Sequence, residues 1–264
     1  MSRSFISFPE GRLGESPCRL SLLASGAEWF ALEKPPGVAA VRDAFSRGGI
    51  NLMEVLREDI DSGKNQLREA GIPEALPVTY PDPGVAGVLL CAKSETARAA
   101  LKNAMGGDGF VFKHRFLTPS GQEVEEMVCE LPLAHPEKSA RMVVSHSNGK
   151  KTETRFRRIG RVGDYALWEA WSHYNRRHQV AVHAFECGLP VLGETFYARS
   201  EPVYLSSLKR GYRAKGREQP LYAHPCLYQT ELRFSDPDTS EAVIVESPLP
   251  RRLKALMDQV ERRS

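Results

Sequence analysis

Residues 175–183 read Asn-Arg-Arg-His-Gln-Val-Ala-Val-His, and residues 187–193 follow with Cys-Gly-Leu-Pro-Val-Leu-Gly. The first stretch brings two arginines and a histidine together just before an apolar segment. Residues 179–186 have the composition of a helix, which Gly188 would end because glycine favours the position after a helix. Residues 189–193 predict a buried turn and strand. We therefore expect a cationic loop that is supported by a short helix and a buried turn.

Strand-like segments outnumber helical ones along the rest of the chain. Val88–Ala92 is a short apolar run that is typical of a buried strand. Asn51 and Ser94 each precede a helix-like segment and predict its N-cap. Consecutive strands favour an α+β fold with a mixed, largely antiparallel sheet flanked by helices and loops, rather than a doubly wound parallel sheet. Near the C-terminal end, residues 231–246 predict a hairpin and residues 253–260 a helix.

The chain has 264 residues, which suits either one large domain or one domain with an appendage. Residues 1–26 have little periodicity and predict an N-terminal extension. Residues 27–264 predict the domain itself, with a basic insertion at 199–220. Cations of the insertion could contact the phosphates of a nucleic acid and fix its position, although a solvated loop would have the same composition. The candidates for that contact are Lys209, Arg210 and Arg213.

The composition bears on the partners of the protein and on its compartment. The net charge of +3 is small, but residues 151–217 hold thirteen Lys and Arg against six Asp and Glu. Such a basic segment is typical either of a face for a polyanion or of a charged, solvated surface. No apolar run approaches the roughly 18 residues of a membrane span, and the N-terminus lacks the pattern of a secretory signal. The five scattered cysteines predict neither a disulfide framework nor a zinc site, so we expect a cytoplasmic protein.

Residues 175–193 resemble the third signature of the RluA-type RNA pseudouridine synthases, GRTHQIRVH, and the turn GHPILGD that follows it. Residues 79–90 lie where that family writes HRLDxxTSGLLL, and Asp82 takes the position of the catalytic aspartate. The opening motif NKPAG is matched by Leu32–Gly37. Three more segments resemble the family in the same order, namely 113–117, 149–154 and 224–250. Together the motifs cover most of the chain.

The resemblance implies a pseudouridine-synthase-like catalytic domain that isomerises uridine in ribosomal or transfer RNA without a cofactor or a metal. The target base is flipped out of its stack into a pocket, where an aspartate assists cleavage of the glycosidic bond. The carboxylate must stay ionised, which requires a nearby cation or hydrogen-bond donors. We expect a monomer with RNA as its partner and no membrane. The implied catalytic residues are Asp82 and Arg115, and the implied substrate contacts are Tyr80, Arg176, Arg177, His178 and Gln179.

Several positions depart from the family pattern. Arg115 replaces the tyrosine that stacks on the target base, and Ala181 replaces the arginine that pairs with the aspartate. One hypothesis is that Arg115 supplies the missing guanidinium, since arginine can stack on a base and also bind a carboxylate. Arg176 and Arg177 are further candidates for that role. The alternative is a catalytically impaired RNA-binding paralogue of the same fold.

Two other features of the motifs bear on these hypotheses. Around Asp82, the family's His-Arg is Thr79–Tyr80 and its Thr-Ser is Val85–Ala86. A hydrolase or transferase of another class is disfavoured, because the chain has no Ser-His-Asp pattern, glycine-rich phosphate loop or metal-ligand spacing. His178 and His183 are five residues apart, which is not the spacing that directs two histidines at one metal ion. We therefore expect structural histidines rather than a metal site, while the resemblance also places His178 near the substrate.

Overall fold

The structure is a computed structural model that describes residues 4–42, 51–121, 124–209, 211–213 and 216–262. These form two compact units. Unit 1 comprises Met1–Phe112 and Gln229–Pro248, and unit 2 comprises Lys113–Tyr228 and Leu249–Ser264. The division of the sequence into an extension at residues 1–26 and a catalytic domain at residues 27–264 stays a prediction.

The strands are, in chain order, β1 (Phe5–Phe8), β2 (Cys18–Ser25), β3 (Trp29–Lys34), β4 (Leu76–Pro77), β5 (Gly87–Ala92), β6 (Val111–Pro119), β7 (Glu126–Cys129), β8 (Leu133–Ala134), β9 (Val143–Val144), β10 (Thr154–Val162), β11 (Tyr165–Ser172), β12 (Leu227–Ser235) and β13 (Ala242–Glu246). The helices are α1 (Leu52–Asp61), α2 (Asn65–Glu69), α3 (Glu95–Ala104), α4 (Gln179–Glu186), α5 (Leu205–Leu208) and α6 (Arg251–Glu261). This mixture confirms the α+β class. None of these helices is long and apolar enough to cross a membrane.

The first sheet has the order β1-β2-β3-β5-β4, and its neighbouring strands are antiparallel. Successive residues of a strand face opposite sides of the sheet. Leu32 and Leu89 therefore join one hydrophobic cluster, while Ala31 and Leu90 join another on the opposite face. Burial on both faces explains why residues 88–92 form an unbroken apolar run. The same pairing sets Lys34 opposite Gly87.

Two helices close the faces of this sheet, and both begin at the predicted caps. The side chain of Asn51 accepts a hydrogen bond from the backbone N–H of Glu54, and Ser94 accepts one from Ala97. Such caps satisfy backbone donors that the first turn of a helix leaves without a partner. The apolar side of α1 packs on the first cluster and that of α3 on the second.

The second sheet has the order β13-β12-β6-β11-β10-β7. The pairs β10–β11, β10–β7 and β12–β13 are antiparallel, and β10 has a bulge between Arg158 and Gly160. In unit 2, Trp168 stacks on Phe116 with ring centroids 6.5 Å apart, and the indole Nε1–H donates to Thr118 at 3.1 Å. The other side of β10 and β11 remains partly exposed and carries charged residues. A small third sheet pairs β8 with β9.

Two stretches differ from the sequence prediction. Residues 1–26, expected to be an extension, contain β1 and β2, which continue the first sheet through β3. Their periodicity is weak because β1 has four residues and the residues of β2 are mostly only partly buried. Residues 58–78, which were expected to be a loop, contain the end of α1, the five-residue helix α2 and the two-residue strand β4. Elements this short leave little pattern in a sequence.

Candidate functional site

Asp82 stands at the start of a tight turn just before β5. The backbone N–H of Val85 donates to the carbonyl oxygen of Asp82 at 3.0 Å, which closes the turn through Pro83 and Gly84. Proline and glycine favour such turns because of the backbone angles they adopt. Asp82 is half-buried, and Val85 is buried. The residue is therefore partly shielded from water, and its catalytic role stays a prediction.

Lys34, at the end of β3, is hydrogen-bonded to the Asp82 turn. Its side chain is 0% exposed, and its Nζ donates to the carbonyl oxygens of Pro35 at 2.9 Å, Val38 at 2.9 Å and Pro83 at 3.2 Å. The N–H of Gly37 also donates to Pro83, at 2.8 Å. The opening motif and the Asp82 turn are thereby fastened together through a single buried ammonium group.

Lys34 also shapes the electrostatics of the turn. Burial lowers the pKa of Lys34 to about 7, and the negative charge of Asp82 opposes that shift. The sequence pattern alone does not mark Lys34 as a site residue. The available signal was its place in the opening motif, but a lysine before two prolines is equally common on a solvated turn.

Gly87 begins β5 where another segment of unit 1 approaches closely. A Cβ atom at this position would lie 2.4 Å from the Cβ of Gln229. The backbone N–H of Gln229 donates to Ala86 at 2.8 Å, and its side-chain oxygen accepts from Val88 at 3.3 Å. Glycine is needed here because any side chain would displace Gln229 and the end of the Asp82 loop.

Tyr80 precedes Asp82 by two residues and is 44% exposed. Lys102 donates to its hydroxyl oxygen at 2.8 Å, and the ammonium lies 5.2 Å from the ring centroid. The hydroxyl in turn donates to the carbonyl of Pro77 at 3.3 Å. The ring is thus held in one place with a face towards solvent. The substrate contact of Tyr80 stays a prediction.

The third signature forms a loop and the start of α4 in unit 2. His178 adopts a left-handed backbone conformation, with φ of 53°, just before the helix begins. Gln179 is 1% exposed. Its amide nitrogen donates to the carbonyl of Glu153 at 3.0 Å and to Thr154 at 3.1 Å, and its oxygen accepts from the N–H of Arg176 at 3.0 Å. The sequence predicted a substrate contact for Gln179, but its burial and these bonds give it the role of bracing the loop.

Tyr197 holds the ring of His178, and Glu194 holds the segment that carries Tyr197; neither residue was predicted from the sequence. The Nδ1 of His178 lies 2.6 Å from the hydroxyl of Tyr197, which also accepts from the N–H of Met142 at 2.9 Å. Glu194 is 5% exposed, and its carboxylate accepts three backbone N–H bonds, at 2.7, 2.7 and 2.9 Å, from residues 196–198. Glu194 thereby fixes the segment that carries Tyr197. The signal was the acidic residue that ends the family's GHPILGD turn.

His183 is fully buried and structural, as the sequence predicted. Its Nδ1 lies 2.9 Å from the hydroxyl of Thr154, and its Nε2 lies 2.9 Å from the carbonyl oxygen of Leu131 and 3.2 Å from Thr152. These contacts tie α4 to β10 and to the strand end after β7. Both ring nitrogens have partners within the fold, so His183 supports the loop without reaching substrate.

Arg176 and Arg177 are half-buried in the same loop. The guanidinium of Arg176 lies 4.6 Å from the centroid of the Tyr174 ring, and its Nη2 reaches the carbonyl oxygen of Lys151 at 3.5 Å. The Nε atom of Arg176 is buried and has no hydrogen-bond partner. A buried donor without a partner costs about 1–3 kcal/mol. An anionic ligand that reached this nitrogen would remove that cost.

Arg115 extends from the partly exposed side of β6. Its Nε and Nη2 lie 3.4 Å from one carboxylate oxygen of Glu169, on β11. Nearby, burial raises the pKa of Tyr228, and the positive charge of Arg115 opposes that shift. The guanidinium of Arg115 is therefore paired with the carboxylate of Glu169 within unit 2. Its roles at the target base and beside Asp82 stay predictions.

The basic insertion is described only in part. Lys209 and Arg213 are exposed, and the N–H of Lys209 donates to Leu205 at 2.8 Å at the end of α5. Arg210 lies outside the described residues. Contact of these cations with RNA stays a prediction.

The sequence and the fold of this chain are both similar to those of known proteins. The sequence model of the RNA pseudouridylate synthase family matches residues 28–185, which include the Asp82 turn and the third signature. Among solved structures, human RNA pseudouridylate synthase domain-containing protein 4 has a TM-score of 0.65 at 17% identity, over 90% of this chain and 92% of that one. That likeness shows a shared fold.

Two curated relatives are similar at the level of sequence. An uncharacterized RNA pseudouridine synthase, YlyB of Bacillus subtilis, is 23% identical over 76% of this chain. The ribosomal large subunit pseudouridine synthase D of Nitrosomonas europaea is 27% identical over 74% of this chain. The matches span 59% and 53% of the lengths of these relatives. The chain therefore belongs to the RNA pseudouridylate synthase family, which confirms the RluA-type resemblance of its signatures.

Proposed function

We propose that this protein isomerises uridine to pseudouridine in RNA and that Asp82 is the catalytic carboxylate. The observation that carries the proposal is the Asp82 turn, in which a half-buried carboxylate is held beside the buried ammonium of Lys34. In this reaction the bond from the sugar to N1 of uracil breaks, the base rotates, and a bond from the sugar to C5 forms. N1 gains the proton that C5 loses, so the reaction balances without a co-substrate, and we propose that it uses neither a cofactor nor a metal.

The carboxylate must be ionised at the start of the reaction, whichever atom of the sugar it acts on. A guanidinium that replaces the one missing at Ala181 is a second requirement of the proposal. The sequence offers Arg115, with Arg176 and Arg177 as further candidates, and we infer that one of them supplies this guanidinium.

Single substitutions test this inference. If Arg177 supplies the guanidinium, Arg177→Ala lowers kcat for pseudouridine formation strongly, Arg115→Ala lowers it less, and Ala181→Arg partly rescues Arg177→Ala. If Arg176 supplies it, Arg176→Ala has the stronger effect and is the variant that Ala181→Arg rescues. A kcat that falls most in Arg115→Ala would assign the role to Arg115, as the sequence first suggested. Melting curves of each variant show whether the fold is retained.

We further propose that the substrate is ribosomal RNA, that the enzyme acts as a monomer, and that it works in the cytoplasm. The name of the Nitrosomonas relative refers to the large ribosomal subunit. The five thiols are free, which suits a reducing compartment. Transfer RNA is the second candidate, because RNA recognition by shape leaves little trace in a sequence.

The competing proposal is a protein of the same fold that binds RNA without modifying it. It is favoured by the replacements at Arg115 and Ala181, which change two positions of the family's active site. It does not explain why Asp82 is held in a closed turn beside Lys34. The two proposals agree on RNA binding and differ only on the chemistry.

A primer-extension scan of carbodiimide-treated ribosomal and transfer RNA distinguishes them. RNA from cells with the gene should show at least one stop that is missing from cells without it. Complementation with the wild-type gene should restore the stop, and complementation with Asp82→Asn should not. Identical patterns in all four samples would favour the binding protein.

A further inference from the structure

A buried carboxylate in unit 2 is surrounded by three cations from two neighbouring strands. Glu169, on β11, lies 3.6 Å from Nζ of Lys113, 3.4 Å from Nε of Arg115 and 3.3 Å from Nη2 of Arg157. Lys113 and Arg115 lie on β6, two residues apart and hence on the same face. Arg157 lies on β10, directly opposite Glu169 in the strand pair. We call these four residues the Glu169 cluster.

The Glu169 cluster has an excess of positive charge. Three cations and one carboxylate leave two positive charges. The side chain of Glu169 is 4% exposed, whereas those of Lys113, Arg115 and Arg157 are 27%, 42% and 50% exposed. The carboxylate therefore anchors the cluster from inside, and the excess charge faces water.

The contacts within the cluster are long. Charge-assisted N–H···O bonds usually measure about 2.7–2.9 Å, and every nitrogen of the cluster is farther than that from Glu169. Arg157 reaches Glu169 through Nη2 alone, so most of its five N–H donors point elsewhere. Its guanidinium also lies 5.8 Å from the ring centroid of Trp171, which limits the orientations it can take. The cluster thus offers oriented donors on its exposed side.

We propose that the Glu169 cluster is a subsite for one phosphodiester of the RNA backbone. This inference rests on the proposed function in naming RNA as the ligand. A phosphodiester carries one negative charge and two oxygens that match the fork of a guanidinium. Bound on the exposed side, it would offset the excess charge that Glu169 alone leaves. Such a contact fixes the position of the RNA and reads no sequence.

The salt dependence of RNA binding tests the subsite. The probe is a fluorescent oligouridylate, titrated with wild-type protein, Arg157→Gln and Arg158→Gln at several salt concentrations. Arg158 is the matched control, because it is the next residue of β10 and pairs with Glu125 at 3.4 Å instead of with Glu169. Losing one phosphate contact lowers the slope of log K against log salt by about 0.7 for single-stranded nucleic acid. We expect this change, and several-fold weaker binding at low salt, for Arg157→Gln alone.

Equal slopes for all three proteins, or equal losses in both variants, would overturn the subsite. A polyglutamate peptide of matched charge is the competitor. If it displaces the RNA from wild-type protein as well as unlabelled oligouridylate does, the cluster binds acidic chains in general and the assignment to RNA fails. Single-stranded DNA should give the same difference between Arg157→Gln and Arg158→Gln, because its phosphodiesters are the same.

This test is independent of catalysis. If the protein forms no pseudouridine but Arg157→Gln still loses slope against Arg158→Gln, the subsite stands and the proposed activity falls. If pseudouridine forms and the slopes are equal, the activity stands and the subsite falls.

Discussion

The Asp82 turn in unit 1 and the His178 loop in unit 2 depart from the family pattern in the same way. In the turn, Lys34, Gly37 and Gly87 match the family motifs, and each of them holds backbone or allows its close approach. The changed residues of the motif are the side chains around Asp82, among them Val85 and Ala86, which lack the hydroxyls of the usual Thr-Ser.

The His178 loop shows the same division. Gln179 and His183 match the signature, and both are buried and bonded to β10. An acidic residue, Glu194, again ends the turn that follows and holds residues 196–198. The changed positions are the ones predicted to meet the carboxylate or the substrate, Arg177 and Ala181. In both segments, residues that match the motifs hold the backbone, whereas the changed residues include some that were predicted to meet the carboxylate or the substrate; Asp82 and Arg176 match as well.

The variant Glu194→Ala tests whether Glu194 holds the backbone of residues 196–198, and it should have the largest effect on stability. In Glu194→Ala, three buried N–H groups lose a charged acceptor, and each such loss costs about 1–3 kcal/mol. We expect the free energy of unfolding to fall by about 4 kcal/mol, as measured by urea denaturation. Glu186→Ala, an exposed carboxylate at the end of α4, is the control and should change stability little. Similar losses in both would contradict the role of Glu194.

The buried side chain of Lys34 should make the free energy of unfolding depend on pH. Folding lowers its pKa from 10.5 to about 7, so between these values the unfolded chain binds a proton that the folded chain does not. Stability from this group therefore rises with pH in that window, by about 1.4 kcal/mol per pH unit, and is flat below it. The difference in unfolding free energy between wild type and Lys34→Met should follow this slope from pH 7 to pH 9. A difference that does not change with pH would show that Lys34 stays protonated in the fold.

Gly87 tests the close approach at the end of the Asp82 loop. In Gly87→Ala, the new methyl group would lie 2.4 Å from Gln229, so we expect a loss of about 2 kcal/mol in unfolding free energy. Gly160→Ala is the control, because a Cβ there meets nothing within 4 Å. The double variant Gly87→Ala with Gln229→Ala should recover part of the loss. Additive losses in the double variant would argue against contact between these residues.

The variant Tyr197→Phe should have the smallest effect on the free energy of unfolding. In Tyr197→Phe the ring remains, but the N–H of Met142 and Nδ1 of His178 lose a common partner. We expect a loss of about 1 kcal/mol in stability. The resonance of the His178 ring should shift in the NMR spectrum, and that of His183 should not. An unchanged His178 resonance would mean that the hydroxyl does not hold the ring in solution.

The sequence predicts local structure well where the pattern is strong. The strand at Val88–Ala92 and the caps Asn51 and Ser94 follow from apolar runs and capping chemistry, and the structure confirms them. The strands within residues 1–26 were not predicted, because β1 has only four residues and the alternation of buried and exposed residues in β2 is weak. Helix α2 was not predicted because it has only five residues.

Individual site residues could be predicted only at positions that a family motif specifies. Asp82 and His178 follow from the signatures. The burial of Lys34 does not, since lysine is seldom buried and only the three-dimensional arrangement of three carbonyl groups makes a place for it. The Glu169 cluster depends on the register between β10 and β11, which no local pattern specifies.

Release of tritium from RNA labelled at C5 of uracil tests the central claim most directly. Total RNA from cells that lack the gene is the substrate, and wild-type protein, Asp82→Asn and Asp238→Asn are compared. Asp238 is the matched control because it is an exposed aspartate that also lies beside a proline in a turn. Asp82 as the catalytic carboxylate predicts release by wild type and Asp238→Asn and none above background by Asp82→Asn. Equal release by all three proteins, or none by wild type, would contradict it.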